Sequence, residues 1–162
     1  MMNISINSAI LVAFFSAFIG FLVQLFFKWN DRRYQAKSFE LSIIAEVEAT
    51  LNIIEKRKYR KGLEEGLVFF ELSENLSENK IHTLEIQIQE DYLPIYFNNL
   101  DKISFISPKK VRDVVRFYSL LMSLAQDVKP DGILNKQPSR EAYKECLSVF
   151  DEAILIGNRI IK

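Results

Sequence analysis

The sequence predicts a mainly α protein, in which an N-terminal transmembrane helix continues into a cytoplasmic antiparallel three-helix bundle with a small β element. Three observations predict it: an uncharged apolar run near the N-terminus, apolar residues repeating at steps of 3 and 4 in three later stretches, and one short alternating run. The 162 residues carry 21 basic and 21 acidic side chains, and all of them lie beyond residue 27. A hydrophobic content of 49% with 12% aromatics excludes a disordered chain. A formal net charge of zero gives no overall basic balance for bulk nucleic-acid binding. The lone cysteine, Cys146, excludes an intramolecular disulfide and argues against a cysteine-based zinc site.

Residues Ser8 to Phe27 read SAILVAFFSAFIGFLVQLFF, with 16 of 20 from the apolar set. At about 1.5 Å rise per residue such a helix is roughly 30 Å long, the thickness of a bilayer core. A secretory signal peptide would need a basic start, a shorter apolar core and a small-residue cleavage site, and MMNISIN followed by this run supplies none of them. The segment therefore reads as an uncleaved anchor. Lys28, Arg32, Arg33 and Lys37 follow it with only Asp31 opposed, so the positive-inside rule leaves residues 1–7 outside and residues 28–162 in the cytoplasm of a bacterial inner membrane. Trp29 and Tyr34 sit where an interfacial aromatic belt belongs. Within the span, Ala9, Ala13 and Ala17 recur at i+4, and Ser16, Gly20 and Gln24 do the same. These small residues share a face ending in a polar amide, an arrangement suited to self-association in lipid and also common by chance.

From Tyr34 to about Lys61 there is no Gly or Pro, and Ile44, Val47, Leu51 and Ile54 form a helical seam continuous with the anchor. Gly62 and Gly66 then mark its end, with Lys56, Arg57, Lys58, Arg60 and Lys61 in the last turns. The short apolar run LVFFEL and the alternation of Leu84, Ile86 and Ile88 with Glu85, Gln87 and Gln89 suggest the β element. A short helix is expected from Pro94 to about Ile103. Ser107 and Pro108 start the next, whose seam is Val111, Val114, Tyr118, Leu121, Ala125 and Val128. KPDGILNKQP ends it, and Ser139 caps a last helix with the seam Ala142, Cys146, Val149, Ala153, Ile156 and Ile160. The charge is segregated: residues 28–62 are net basic, 63–107 net acidic and 108–162 net basic. Weak surface pairing within the bundle accounts for that pattern, and an acidic face for a basic partner is the alternative.

The single anchor, the basic stretch, IIAEVEATLNIIEKRKY and EDYLPIYFNNLDKISFISPKKVRDVVRFYSLLMSL together resemble a group of short bacterial and prophage membrane proteins. The residues that carry the resemblance are Asp91, Tyr92, Pro94, Ile95, Tyr96, Asn99, Lys102, Ile103, Val114, Val115, Arg116, Phe117 and Tyr118. Ser104, Phe105 and Ile106 stand where that group has Gly-Leu-Leu. The resemblance implies an anchored domain facing the cytosol and brings no assigned activity.

Catalytic constellations are sparse. His82 is the only histidine, which excludes a His-rich metal site within one chain, and beside a strand start it reads as a surface or turn residue. Cys146 lies on an apolar seam and reads as a small core residue. The five glycines form no phosphate loop, and Glu85, Glu90 and Asp91 read as solvated charges without a spaced ligand pattern. The cluster at residues 56–61 lies about 42 Å along a straight helix from Lys28, beyond electrostatic reach of lipid. Tyr92, Tyr96, Phe97 and Phe105 are either core or a contact patch of the kind that anchors protein interfaces. The expectation is a non-enzymatic interaction protein, without cofactor, metal, nucleic acid or small-molecule substrate, held in a lipid bilayer and binding a protein partner or further copies of itself. The alternative is an oligomeric effector that perturbs the inner membrane in phage defence or superinfection exclusion, assembled through Ala13, Ser16, Ala17, Gly20 and Gln24.

Overall fold

The computed structural model describes residues 3–73 and 93–162, with side chains described from residue 10. The protein is mainly helical, and among the described residues there is no strand. Helix α1 (Asn3–Arg57) is unbroken over 55 residues, because neither Pro nor a turn-forming cluster interrupts it. Among the described residues its side chains from 10 to 30 pack against nothing: Ile10, Phe14, Phe18, Leu22 and Phe26 are all exposed. This is one helix long and apolar enough to cross a membrane. Its second half is buried on one face through Phe39, Ile43 and Val47, with Ile44 and Leu51 flanking.

The helix ends at Arg57, five residues before Gly62. Lys58 takes a left-handed conformation with φ 54°, and α2 (Tyr59–Ser73) begins immediately afterwards. Gly62 and Gly66 thus lie inside a helix and do not terminate one. LVFFEL is likewise helical, correcting the expected strand, because Leu63, Gly66, Leu67 and Phe70 make a 3–4 step seam against α6. A Cβ at Gly66 would lie 2.1 Å from the Tyr143 ring, so the glycine is what lets α2 approach. The alternating residues Leu84, Ile86 and Ile88 lie outside the described residues, as does His82.

Where one short helix is expected from Pro94, the chain makes α3 (Pro94–Phe97) and then a 3-10 turn (Leu100–Phe105). Helix α4 (Pro108–Asp127) starts with Pro108 in its first turn, although the Ser107 hydroxyl makes no capping bond. The single turn α5 (Ile133–Lys136) drops Leu134 into the core, and the Asn135 amide donates to the carbonyls of Val128 and Lys129 at 3.1 and 2.9 Å. That closes the end of α4, whose last carbonyls have no intrahelical donor. Helix α6 (Arg140–Ile160) is capped by the Ser139 hydroxyl, which accepts from Ala142 N–H at 3.1 Å.

Cross-helix pairs fix the directions. Asp113 meets Arg159 and Arg116 meets Glu152, so α4 and α6 are antiparallel. Arg60 meets Asp151 and Glu71 meets Arg140, so α2 is antiparallel to α6 on another face. Glu40 meets Lys110 and Glu46 meets Tyr118, so α4 runs parallel to α1. One core cluster joins α1, α4 and the end of α6 with the 93–106 segment; a second joins α2, α4, α5 and the start of α6.

Candidate functional site

The chemistry of the domain concentrates where the 93–106 segment lies on α1. Glu46 is on the buried face of α1, one turn from Ile43 and beside Val47, and is 6% exposed. An unpartnered carboxylate there would cost several kcal/mol in desolvation, at least ~1–3 kcal/mol on mutational scales. Three donors satisfy it. The backbone N–H groups of Ile95 and Tyr96, at the start of α3, donate at 2.6 and 3.1 Å, and the Tyr118 hydroxyl donates from α4 at 2.6 Å. One carboxylate therefore ties together three pieces of chain. It also stands where the first N–H groups of α3 have no partner of their own, as an N-terminal cap borrowed from another helix.

Aromatic rings enclose this triad. Tyr96 stacks on Tyr118 with centroids 3.8 Å apart and planes 5° from parallel, and Phe97 and Phe117 meet Tyr118 edge-on at 6.4 and 5.4 Å. Burial first, then the hydrogen bond to Glu46 and its charge, push the Tyr118 hydroxyl well above the ordinary phenol range. Burial raises Tyr96 as well. Both carboxylate oxygens of Glu46 accept hydrogen bonds from the protein itself. The arrangement is a structural staple, and the groups of three or more His, Cys, Asp or Glu side chains that a metal needs do not occur among the described residues.

The residues singled out from sequence fall into three places. Of the aromatic set, Tyr96 belongs to the core at 8% exposure, while Phe97 and Phe105 are exposed at 39% and 36%; Tyr92 lies outside the described residues. Among the described members the set is thus split, with Phe97 and Phe105 presenting surface. Ala13, Ser16, Ala17, Gly20 and Gln24 share one face of the exposed half of α1, and a Cβ at Gly20 would meet nothing within 4 Å. Lys28, Trp29, Arg32, Arg33 and Tyr34 follow on the same helix, all exposed, with the Arg33 guanidinium 4.1 Å from the Trp29 ring centroid.

Cys146 is buried, and its thiol donates to Asp127 at 3.6 Å. Burial, with Asp127 second, pushes that thiol up to about 12, so it is protonated and unreactive at neutral pH. The basic cluster at residues 56–61 sits at the junction of α1 and α2. Arg60 in it is held by both oxygens of Asp151 at 2.8 and 3.1 Å and by Glu64, and Lys61 pairs with Glu65 at 3.3 Å. Glu46 is the residue that sequence reasoning missed. Its spacing gives a partial signal, seven residues from Phe39 and three from Ile43, but Glu40 stands in the same relation to Val47 and Ile43, so spacing alone does not single Glu46 out.

Comparison with protein-family models, with curated proteins and with solved structures finds no match.

Proposed function

We propose that this is a single-pass, membrane-anchored interaction protein without enzymatic activity, whose cytoplasmic helical domain binds a protein partner or a second copy. The observation that carries the reading is the division of α1: one unbroken helix is apolar and unpacked over residues 10–27 and forms the wall of a packed core from Phe39 onward. A helix of that kind places a folded domain at a fixed height above a bilayer. The domain itself reads as a bundle in which α1 and α2 form one bent rod against α4 and α6. Its polar interior is a saturated staple, which suits a rigid presenting surface better than a reactive centre. Phe97, edge-on to Tyr118 of this staple, is the anchor proposed for the partner. The orientation, with residues 28–162 in the cytoplasm, follows from Lys28, Arg32, Arg33 and Lys37.

A pull-down from native membranes in mild detergent, with mass spectrometry and light scattering, tests the reading. A stoichiometric foreign protein, lost in Phe97→Ala, supports an adaptor. Recovery of the chain alone as a defined oligomer, dispersed by Gly20→Ile, moves the function to the face of Ala13, Ser16, Ala17, Gly20 and Gln24 and favours the membrane-effector reading. A monomer with no companion contradicts both.

A further inference from the structure

The helix directions determine which end of the domain is nearest the bilayer. Lys110, in the first turn of α4, pairs with Glu40 at 3.1 Å, and Arg159, in the last turn of α6, pairs with Asp113 at 3.0 Å. The start of α4, the end of α6 and the 3-10 turn that leads into α4 therefore gather at one level of α1, close to Glu40. Glu40 is twelve residues beyond Lys28, about 18 Å along the helix. The headgroup layer takes up about 5–8 Å of that distance. The remaining gap of about 10–13 Å compares with a screening length of about 8 Å, and lysine side chains extend into it.

Charge is distributed unequally between the two ends of the domain. Residues 28–40, 101–113 and 159–162, at this end, hold ten basic side chains against four acidic ones. Residues 59–73 and 127–145, at the other end, hold six against seven. Three of the four proximal acids are already engaged, Glu40 by Lys110, Asp113 by Arg159 and Asp31 by the Gln35 amide. Lys102, Lys109, Arg112 and Lys162 are exposed around them, with Leu100 and Phe105 between. The basic cluster at residues 56–61 is at the opposite end of the helix and contributes nothing here.

We propose that this proximal end, formed by the 3-10 turn, the first turn of α4 and the end of α6, is a docking face for the anionic headgroups of the bilayer that α1 crosses. The inference rests on the anchored reading above. Anionic lipid is the occupant that the geometry favours, because α1 holds the face permanently within reach of that surface and basic side chains near it are attracted over about a screening length. Docking by Lys102, Lys109, Arg112 and Lys162 would restrict the domain to one tilt and leave the distal end, with α2 and α5, open to the cytosol.

The test uses the full chain in nanodiscs of phosphatidylcholine alone or with about 30% phosphatidylglycerol, measuring lysine acetylation by peptide mass spectrometry. Lys102, Lys109 and Lys162 should acetylate about threefold or more slower in the anionic discs, while distal Lys61 and Lys136 react equally in both, and about 0.5 M salt should abolish the difference. The double variant Lys102→Glu and Lys109→Glu should restore the rate at Lys162. Equal ratios at both ends, in discs into which the chain has inserted, overturn the docking face and leave the anchor standing. A chain that inserts into neither disc overturns both.

Discussion

The Tyr118 hydroxyl donates a 2.6 Å hydrogen bond to the Glu46 carboxylate across 72 residues of sequence, joining α4 to the helix that carries the apolar N-terminal half. Glu46→Ala would strand that hydroxyl and the N–H groups of Ile95 and Tyr96 in the core. At ~1–3 kcal/mol for each unsatisfied group, a loss of at least about 3 kcal/mol is expected. Glu46→Gln keeps one acceptor oxygen and should lose less. Thermal unfolding followed by circular dichroism in detergent ranks the two, and an unchanged midpoint in Glu46→Ala would refute the staple.

Tyr96 and Phe97 are neighbours with opposite expectations. Tyr96→Ala removes a ring stacked on Tyr118 and should cost about 3–5 kcal/mol, the range for a large buried aromatic. Phe97→Ala, at an exposed ring, should cost about 1 kcal/mol or less. Only the second is then a clean probe of partner binding.

Gly66→Ala reverses the usual sign. In an exposed helix the change stabilises by roughly 0.5–1 kcal/mol. Here the new methyl group meets the Tyr143 ring at 2.1 Å, and α2 must move away from α6 at a cost of about 1–3 kcal/mol. Gly157→Ala should act the same way through Phe117 at 2.8 Å. Denaturation midpoints check both, and a stabilised Gly66→Ala would place α2 elsewhere.

Alkaline pH should unfold the domain in a defined window. The Cys146 thiol is raised from 9.0 to about 12 and the Tyr143 hydroxyl from 10.0 to about 12, in both cases chiefly by burial, with Tyr118 raised further. Between about pH 9 and 12 the unfolded chain has lost protons that the folded one retains, so stability falls as pH rises. The contribution is complete below pH 9 and lost through the folded values. Cys146→Ala should flatten the early part of the decline; a midpoint constant from pH 8 to 11 would contradict the burial argument.

Much of this architecture is legible in the sequence because the seams of α4 and α6 are plain: Val114, Tyr118, Ala125 and Val128 on one, and Ala142, Cys146, Ala153, Ile156 and Ile160 on the other, are all buried. The seam of α1 was less legible. The seam Ile44, Val47, Leu51 and Ile54 shares Val47 with the buried face, but that face runs through Phe39, Ile43 and Val47 with Glu46 beside them, and Ile44 and Leu51 only flank the core. Helix α2 was hidden for a related reason. Its glycines look like terminators, yet Gly66 is there for the Tyr143 ring, and the actual break falls on Lys58, a residue type that gives no warning of a left-handed turn. As for the candidate interface, sequence grouped Tyr96 with Phe97 and Phe105 because neighbouring aromatics look alike until their two sides are assigned. A bond to a backbone N–H, such as those from Ile95 and Tyr96 to Glu46, leaves no trace in residue identity.

Placement of α1 across a membrane, with residues 28–162 on the cytoplasmic side, is the central proposal for this protein. The most direct measurement fuses the C-terminus, after Lys162, either to a green fluorescent protein or to a periplasm-dependent alkaline phosphatase and reads both in alkali-washed bacterial membranes. Membrane-retained fluorescence with an inactive phosphatase is the predicted result. Release of the chain by the wash, or an active phosphatase, would contradict it.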